Sequence, residues 1–223
     1  MIQAATFETT VTQSISLDYL LYLPPGYDES ASYPTILFLH GAGERGDDLT
    51  GLYKQGIPAY LAKGNDLPFI VIAPQCLPDE TWLTYREEVI LLLDHIIQHY
   101  AVDTTRVYLT GLSMGGFGTW DIARLYPERF AAAAPICGGM PWLIDVEKAT
   151  HRLKSLPIWA FHGAKDTVVP LAYSQTMVEA LQAVGGHVKL TVYPDLAHDS
   201  WTVTYANQEL YEWFLEHSID YVR

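Results

Sequence analysis

The sequence has 223 residues, with 13 Lys and Arg against 26 Asp and Glu, and a net charge of −13. A hydrophobic fraction of 49% allows a sizeable core and argues against disorder, and the length favours one domain over residues 1–223. The negative charge would repel nucleic-acid phosphates and anionic lipids, so neither is an expected partner.

The N-terminus carries no recognisable targeting signal. Residues 1–12 lack a basic start followed by a long apolar run, which a signal peptide would need. No stretch approaches 18 apolar residues, so we expect no membrane span. The sequence therefore predicts a cytoplasmic protein, unless an export signal has been removed.

Seven short apolar runs, each followed by a turn rich in Gly, Pro or Asp, predict strands. Several are apolar almost throughout, as in parallel sheets covered on both faces. No helix separates the first strands, before Pro24, so we expect an antiparallel N-terminal edge. The predicted strands are residues 17–23, 35–39, 69–73, 107–110, 131–136, 158–161 and 188–193.

Helical patterns lie between these runs. Residues 85–100 repeat apolar side chains at steps of three and four. Residues 171–184 follow Pro170 and stop at a Gly pair, and residues 202–217 form a further helical pattern. Alternating strands and helices predict an α/β fold with a mostly parallel, doubly wound sheet.

Residues 111–115 read Gly-Leu-Ser-Met-Gly, which fits the motif G-x-S-x-G between a strand and a helix. A serine on so tight a turn presents its hydroxyl at the edge of the sheet. Ser113 is therefore a candidate nucleophile. The alternative is a glycine-rich turn opening a helix, as at a phosphate site, but no Lys follows Ser113 and G-x-G-x-x-G is absent.

A serine nucleophile needs a base and a carboxylate that orients the base, and both should follow later strands in the order Ser, acid, His. Asp166 follows the predicted strand 158–161, and His198 follows the last one. Asp195 and Asp199 are the alternative acids, but they lie too close to His198 in sequence to come from a separate strand.

The other histidines have more ordinary interpretations. His40 and His162 end strands, where a ring bonded to the backbone is common, and His95 and His99 are expected on a helix surface. No H-E-x-x-H or comparable spacing occurs, so we expect no catalytic metal.

The two cysteines form neither a C-x-x-C pair nor a zinc knuckle. Cys is commonly a small core residue. We therefore expect Cys76 and Cys137 to be free buried thiols, rather than a disulfide or a reactive cysteine.

A negatively charged intermediate would need two N–H donors. The residue after the nucleophile, Met114, supplies one. The glycine-containing loop 40–46 follows an early strand, and the amide of Ala42 is the best second candidate. A plain flexible loop is the alternative.

Together these segments resemble the α/β-hydrolase superfamily over nearly the whole chain. They are residues 23–27 (Leu-Pro-Pro-Gly-Tyr), 40–46, 111–116, Gly163, 166–170 and His198. Within it, the chain looks most like small serine carboxylesterases of the phospholipase/carboxylesterase, dienelactone-hydrolase-like and "predicted peptidase" groups. Dienelactone hydrolases proper carry a cysteine nucleophile, and Ser113 stands there instead.

The resemblance implies an α/β-hydrolase fold and an esterase that needs no cofactor and acts on a small-molecule ester. Its nucleophile would be Ser113, its acid Asp166 and its base His198, with oxyanion amides from Ala42 and Met114. Feruloyl or acetylxylan esterase, peptidase and catalytically silent binding module are the alternatives. The sequence does not predict the oligomeric state.

The substrate pocket is expected to be open. The interval between strands 131–136 and 158–161 holds at most a small helix around residues 145–153, which leaves no room for a large lid. An open site favours short-chain or aryl esters. Trp82, Trp142 and Trp201 are expected on loops after strands, where they would either form an aromatic wall for the substrate or pack in the core.

Overall fold

The protein, described by a computed structural model over residues 3–10, 12, 14–143 and 146–219, contains one seven-stranded sheet. The strand order is β1-β3-β2-β4-β5-β6-β7. All seven predicted strands are confirmed. Their bounds are β1 Tyr19–Tyr22, β2 Tyr33–Leu39, β3 Ile70–Pro74, β4 Val102–Leu112, β5 Ala132–Ile136, β6 Ile158–Gly163 and β7 Val188–Tyr193.

The sheet is parallel except at one edge. β1 pairs antiparallel with β3, with Tyr19 opposite Pro74, whereas the five other pairings are parallel. The predicted antiparallel N-terminal edge is therefore confirmed. This arrangement places the carboxyl ends of the parallel strands, and the loops that follow them, at one edge of the sheet.

Two apolar cores lie on opposite faces of the sheet, because successive strand side chains point to opposite sides. In β2, Leu37 and Leu39 belong to one core, while Ile36 and Phe38 belong to the other. Four helices cover the first face: α2 Arg86–His99, α3 Met114–Leu125, α4 Val146–Leu153 and α5 Leu171–Ala183. Three cover the second: α1 Gly56–Ala62, α6 Trp201–Ala206 and α7 Gln208–Leu215.

The predicted helices 85–100 and 171–184 match α2 and α5 to within one residue at each end. The small helix expected between β5 and β6 is α4, and Asp145, at its predicted start, lies outside the described residues. No long insertion separates β5 from β6. Of the helices in the described part of the chain, none is long and apolar enough to cross a bilayer.

The prediction of one helix over residues 202–217 was wrong. The helix is interrupted at Asn207, which separates α6 from α7. The backbone of Asn207 is extended, and its side chain accepts a hydrogen bond from Glu209 N at 3.1 Å. An asparagine in this position caps a new helix. Apolar periodicity continues across the break, so the sequence pattern alone did not reveal it.

Candidate active site

Ser113 occupies the sharp turn between β4 and α3, with φ 52° and ψ −114°. This backbone conformation is strained for a residue with a side chain. Two glycines permit it: a Cβ at Gly115 would lie 1.9 Å from Leu39 O, and one at Gly111 would lie 2.5 Å from Gly115 O. The backbone N–H of Ser113 donates to Ile136 O at 2.9 Å, which fixes the turn against the end of β5.

The structure brings Ser113, His198 and Asp166 together from three loops. Nε2 of His198 lies 2.9 Å from Ser113 Oγ, and Nδ1 of the same ring lies 2.7 Å from Asp166 Oδ2. The loops can approach because Gly163 has no Cβ; one would lie 2.1 Å from Ala197 O. In this order, an imidazole can accept the serine proton while the carboxylate holds its other nitrogen.

The Asp166 side chain is fully buried but well supplied with donors. Its Oδ1 accepts from the amides of Val168 at 2.8 Å and Val169 at 2.9 Å. Burial acts to raise the pKa of this carboxyl, but hydrogen bonds from His198 and the two amides outweigh burial and hold the pKa below its ordinary value. Asp166 therefore remains a carboxylate that can face a charged imidazole.

The two alternative acids have other partners. Asp195 pairs with Lys165 at 2.8 Å on the exposed surface. Asp199 accepts from the backbone N–H and the hydroxyl of Thr202, at 3.1 and 3.0 Å, at the start of α6. Both carboxylates thus support local surface structure.

The loop after β2 is held in place by Glu44, whose Oε2 accepts from Gly41 N at 2.9 Å. A Cβ at Gly41 would lie 2.7 Å from Leu112 Cδ1, so this loop packs tightly against the end of β4. Ala42 begins a 3-10 turn and Met114 begins α3. Amides in such first positions have no intrahelical acceptor, which leaves them able to donate elsewhere.

His40 and His162 are both buried, and both rings contact backbone carbonyls. His40 Nδ1 lies 2.6 Å from Gly41 O, and its Nε2 accepts from Cys76 N at 2.9 Å. Burial lowers the pKa of His40 to about 4, so its ring is neutral at pH 7. His95 and His99 are exposed on α2, as expected.

His162 also contacts the candidate acid, with Nε2 3.3 Å from Asp166 Oδ2. Sequence reasoning missed this contact. The only signal was that His162 precedes Asp166 by four residues, a separation that brings side chains together only if the intervening turn closes.

The three tryptophans have different environments, and for Trp82 the structure agrees with the second expected alternative, packing in the core. Trp82 is fully buried, and its Nε1 donates to His40 O at 2.8 Å. Trp201 is only 8% exposed and packs edge-on against His198, with ring centroids 5.1 Å apart. Trp142 is 42% exposed and is the member of the three that substrate could reach most easily.

Trp142 belongs to an aromatic cluster that the sequence analysis did not identify. The Phe117 ring lies 5.8 Å from Trp142 and 6.3 Å from Tyr173, measured between centroids. Phe117 N donates to Ser113 O at 3.0 Å, so the cluster begins one helical turn after Ser113. We call Phe117, Trp142 and Tyr173 the aromatic cluster.

Both cysteines are free and buried, as predicted. The thiol of Cys137 donates to His198 O at 3.2 Å and lies 2.8 Å from Ser200 Oγ. Among the described residues, Cys137, Asp166 and His198 form a group whose candidate metal ligand atoms lie within 4.8 Å. Burial raises the pKa of the Cys137 thiol to about 12, and a protonated thiol is a poor metal ligand. In this structure the thiol serves as a hydrogen-bond donor to the loop that carries His198.

Comparisons with known proteins identify the family. The model of the phospholipase/carboxylesterase family matches residues 82–212, more than half of the chain. A solved thermostable esterase is 38% identical with a TM-score of 0.77, covering 92% of this chain and 60% of its own.

Two curated relatives are more distant. A bifunctional acetylxylan esterase/xylanase of Neocallimastix patriciarum is 28% identical over 70% of this chain and 22% of its own length. A poly(3-hydroxyalkanoate) depolymerase of Paucimonas lemoignei is 30% identical over 56% of this chain and 32% of its own. The chain thus spans about a third or less of the length of these two relatives.

Proposed function

The chain belongs to the phospholipase/carboxylesterase family of α/β-hydrolases, and from this premise we propose that it is a serine carboxylesterase acting on small-molecule esters. The observation that carries the proposal is the continuous series of hydrogen bonds from Asp166 through His198 to Ser113. Residues 1–223 would act as one hydrolase domain around the single sheet.

The first half of the proposed reaction acylates Ser113. Nε2 of His198 removes the proton from Ser113 Oγ as the oxygen attacks the ester carbonyl carbon. The Asp166 carboxylate stabilises the resulting imidazolium, and the amides of Ala42 and Met114 donate to the oxyanion. The carbon–oxygen bond to the alcohol then breaks, and the alcohol leaves with the proton from His198.

The second half releases the acid. Water gives a proton to His198 Nε2 as its oxygen attacks the acyl carbonyl carbon. The bond from that carbon to Ser113 Oγ then breaks, and Oγ takes the proton back from His198. An imidazolium cannot accept a proton, so turnover should fall on acidification. No step of this cycle requires a cofactor.

Short-chain and aryl esters are the proposed substrates. The aromatic cluster supports this choice, since Trp142 is exposed and Phe117 lies one turn from Ser113. Trp201 would instead pack edge-on against the His198 ring and hold it in place. One of the two curated relatives is named an acetylxylan esterase/xylanase, which supports ester hydrolysis.

The test combines a substrate panel with site-directed labelling. Chromogenic acetate, butyrate and longer acyl esters, feruloyl esters and peptides would be assayed, and a fluorophosphonate adduct located by mass spectrometry. We expect turnover of short or aryl esters and an adduct on Ser113. Cleavage of peptides alone would favour the peptidase alternative, and a folded protein with neither turnover nor labelling would indicate a binding module.

A further inference from the structure

The carboxylate of Asp166 has two imidazole neighbours. Its Oδ2 lies 2.7 Å from His198 Nδ1 and 3.3 Å from His162 Nε2, while two backbone amides occupy Oδ1. The proposed hydrolytic reaction uses only His198. His162 is fully buried, near the end of β6, and takes no part in that reaction.

The surroundings of His162 determine which nitrogen carries hydrogen. Its Nε2 faces two acceptors, Val169 O at 3.0 Å and Asp166 Oδ2 at 3.3 Å, so Nε2 must be a donor. Its Nδ1 lies 2.8 Å from Ser174 Oγ on α5. Burial lowers the pKa of His162, which favours a neutral ring with its hydrogen on Nε2.

The ring is also held firmly in its plane. The hydroxyl of Ser174 donates to Gly138 O at 2.7 Å, which links His162 through Ser174 to the loop after β5. His162 therefore joins β6, α5 and the turn that carries Asp166. A ring held in this way can direct its Nε2–H at a fixed point.

We propose that His162 is a positioning residue of the hydrolytic site, whose Nε2–H, bonded to Val169 O, also faces Asp166 Oδ2 at 3.3 Å and holds that oxygen toward His198. The inference rests on the proposed function. Without this contact, Asp166 Oδ2 is oriented by His198 alone, although the amides of Val168 and Val169 still hold Oδ1. Oδ2 also keeps more negative charge and stabilises protonated His198 more strongly.

The neighbouring titratable groups are few. Asp166 lies on the following turn, His198 comes from the loop after β7, and Cys137 comes from the loop after β5. The Cys137 thiol is uncharged because burial raises its pKa to about 12. The charged groups that interact with His162 are therefore Asp166 and His198.

Two variants of similar size separate positioning from simple packing. In His162→Gln, the amide nitrogen reaches about as far as Nε2 and can still donate to Asp166, whereas in His162→Asn it reaches only toward Ser174. We expect His162→Asn to lower kcat about 10-fold or more, to leave KM within about 2-fold, and to move the acid limb of the pH profile up by about half a unit. His162→Gln should recover most of kcat and restore the limb.

Circular dichroism and the fraction of protein labelled by a fluorophosphonate would accompany the kinetics, with the exposed His95→Asn as the control variant. If both His162 variants lost kcat equally and the acid limb of the pH profile did not move, His162 would serve only for packing, and the inference would be overturned. An inactive, unlabelled wild type would instead overturn the proposed function, and the inference with it.

A second measurement uses the wild-type protein and needs no variant. Nitrogen-15 NMR of the wild-type histidines should show a neutral His162 protonated at Nε2 and unprotonated at Nδ1. A neutral ring with its proton on Nδ1 could not donate to Asp166 and would contradict the inference.

Discussion

At the scale of single residues, the assignment of Asp166 as the acid can be tested against two nearby carboxylates. Asp166→Asn keeps the size of the side chain but removes its charge and can stabilise the wrong imidazole tautomer. We expect kcat to fall about 10²-fold or more. Asp195→Asn and Asp199→Asn are matched controls, since their carboxylates pair with Lys165 and Thr202, and both should keep near-normal turnover. The reverse ranking among folded variants would contradict the assignment.

His40 provides a residue-scale prediction on stability. Its pKa is about 4 in the folded chain, against an ordinary value near 6.5, so the unfolded state binds a proton first as the pH falls. Stability from this group is complete above pH 6.5 and is lost progressively down to pH 4. Between pH 7 and pH 5 the loss should be about 2 kcal/mol.

Urea unfolding of wild type and His40→Gln at the two pH values measures this contribution. The variant should lose less free energy of unfolding than the wild type over the same range. Equal losses in the two proteins would contradict a buried, neutral His40.

The sequence predicted the residues of the candidate site better than it predicted their surroundings. Ser113, Asp166 and His198 could be named because each follows a recognisable strand, and the fold fixes where such loops meet. The contact between His162 and Asp166 depends on the direction of a buried ring. For the same reason the sequence left two alternatives open for Trp82, since a loop position does not reveal that its indole is buried and donates to His40 O.

At the scale of elements, the close approach of the start of α3 to the end of β2 depends on Gly115. A Cβ there would lie 1.9 Å from Leu39 O, which is backbone and cannot move without shifting β2. Gly115→Ala should therefore lower the free energy of unfolding by about 3 kcal/mol or prevent folding. Gly43→Ala is the control, because nothing lies within 4 Å of its added Cβ. Urea denaturation measures both, and a stable Gly115→Ala variant would show that the turn is less crowded than described.

The aromatic cluster joins three elements and gives a prediction on specificity. Trp142→Ala should raise KM for aryl esters about 10-fold, because an exposed ring that stacks on the substrate is lost. Acetates of small aliphatic alcohols should be nearly unaffected, and Trp142→Phe should retain the aryl preference. Steady-state kinetics on the two substrate classes measures this, and an equal effect on both would contradict a role in aryl recognition.

At the scale of the whole molecule, the sheet was predictable because it is buried on both faces. Strands such as β3 and β5 are apolar throughout, a pattern that solvent-exposed sheets do not permit. The strand order was not predictable in the same way, since β3 lies between β1 and β2 and pairing depends on packing between distant segments. The break at Asn207 escaped because one apolar face continues through α6 and α7.

The measurement that tests the central claim most directly is the capture of the acyl-enzyme. A chromogenic acetate would be mixed with excess protein, quenched in acid within the first turnover and digested for mass spectrometry, with Ser113→Ala in parallel. The account predicts an acetyl group on Ser113 of the wild type, and a folded Ser113→Ala that has lost nearly all turnover. An acetyl group on another residue, or undiminished turnover by folded Ser113→Ala, would contradict it.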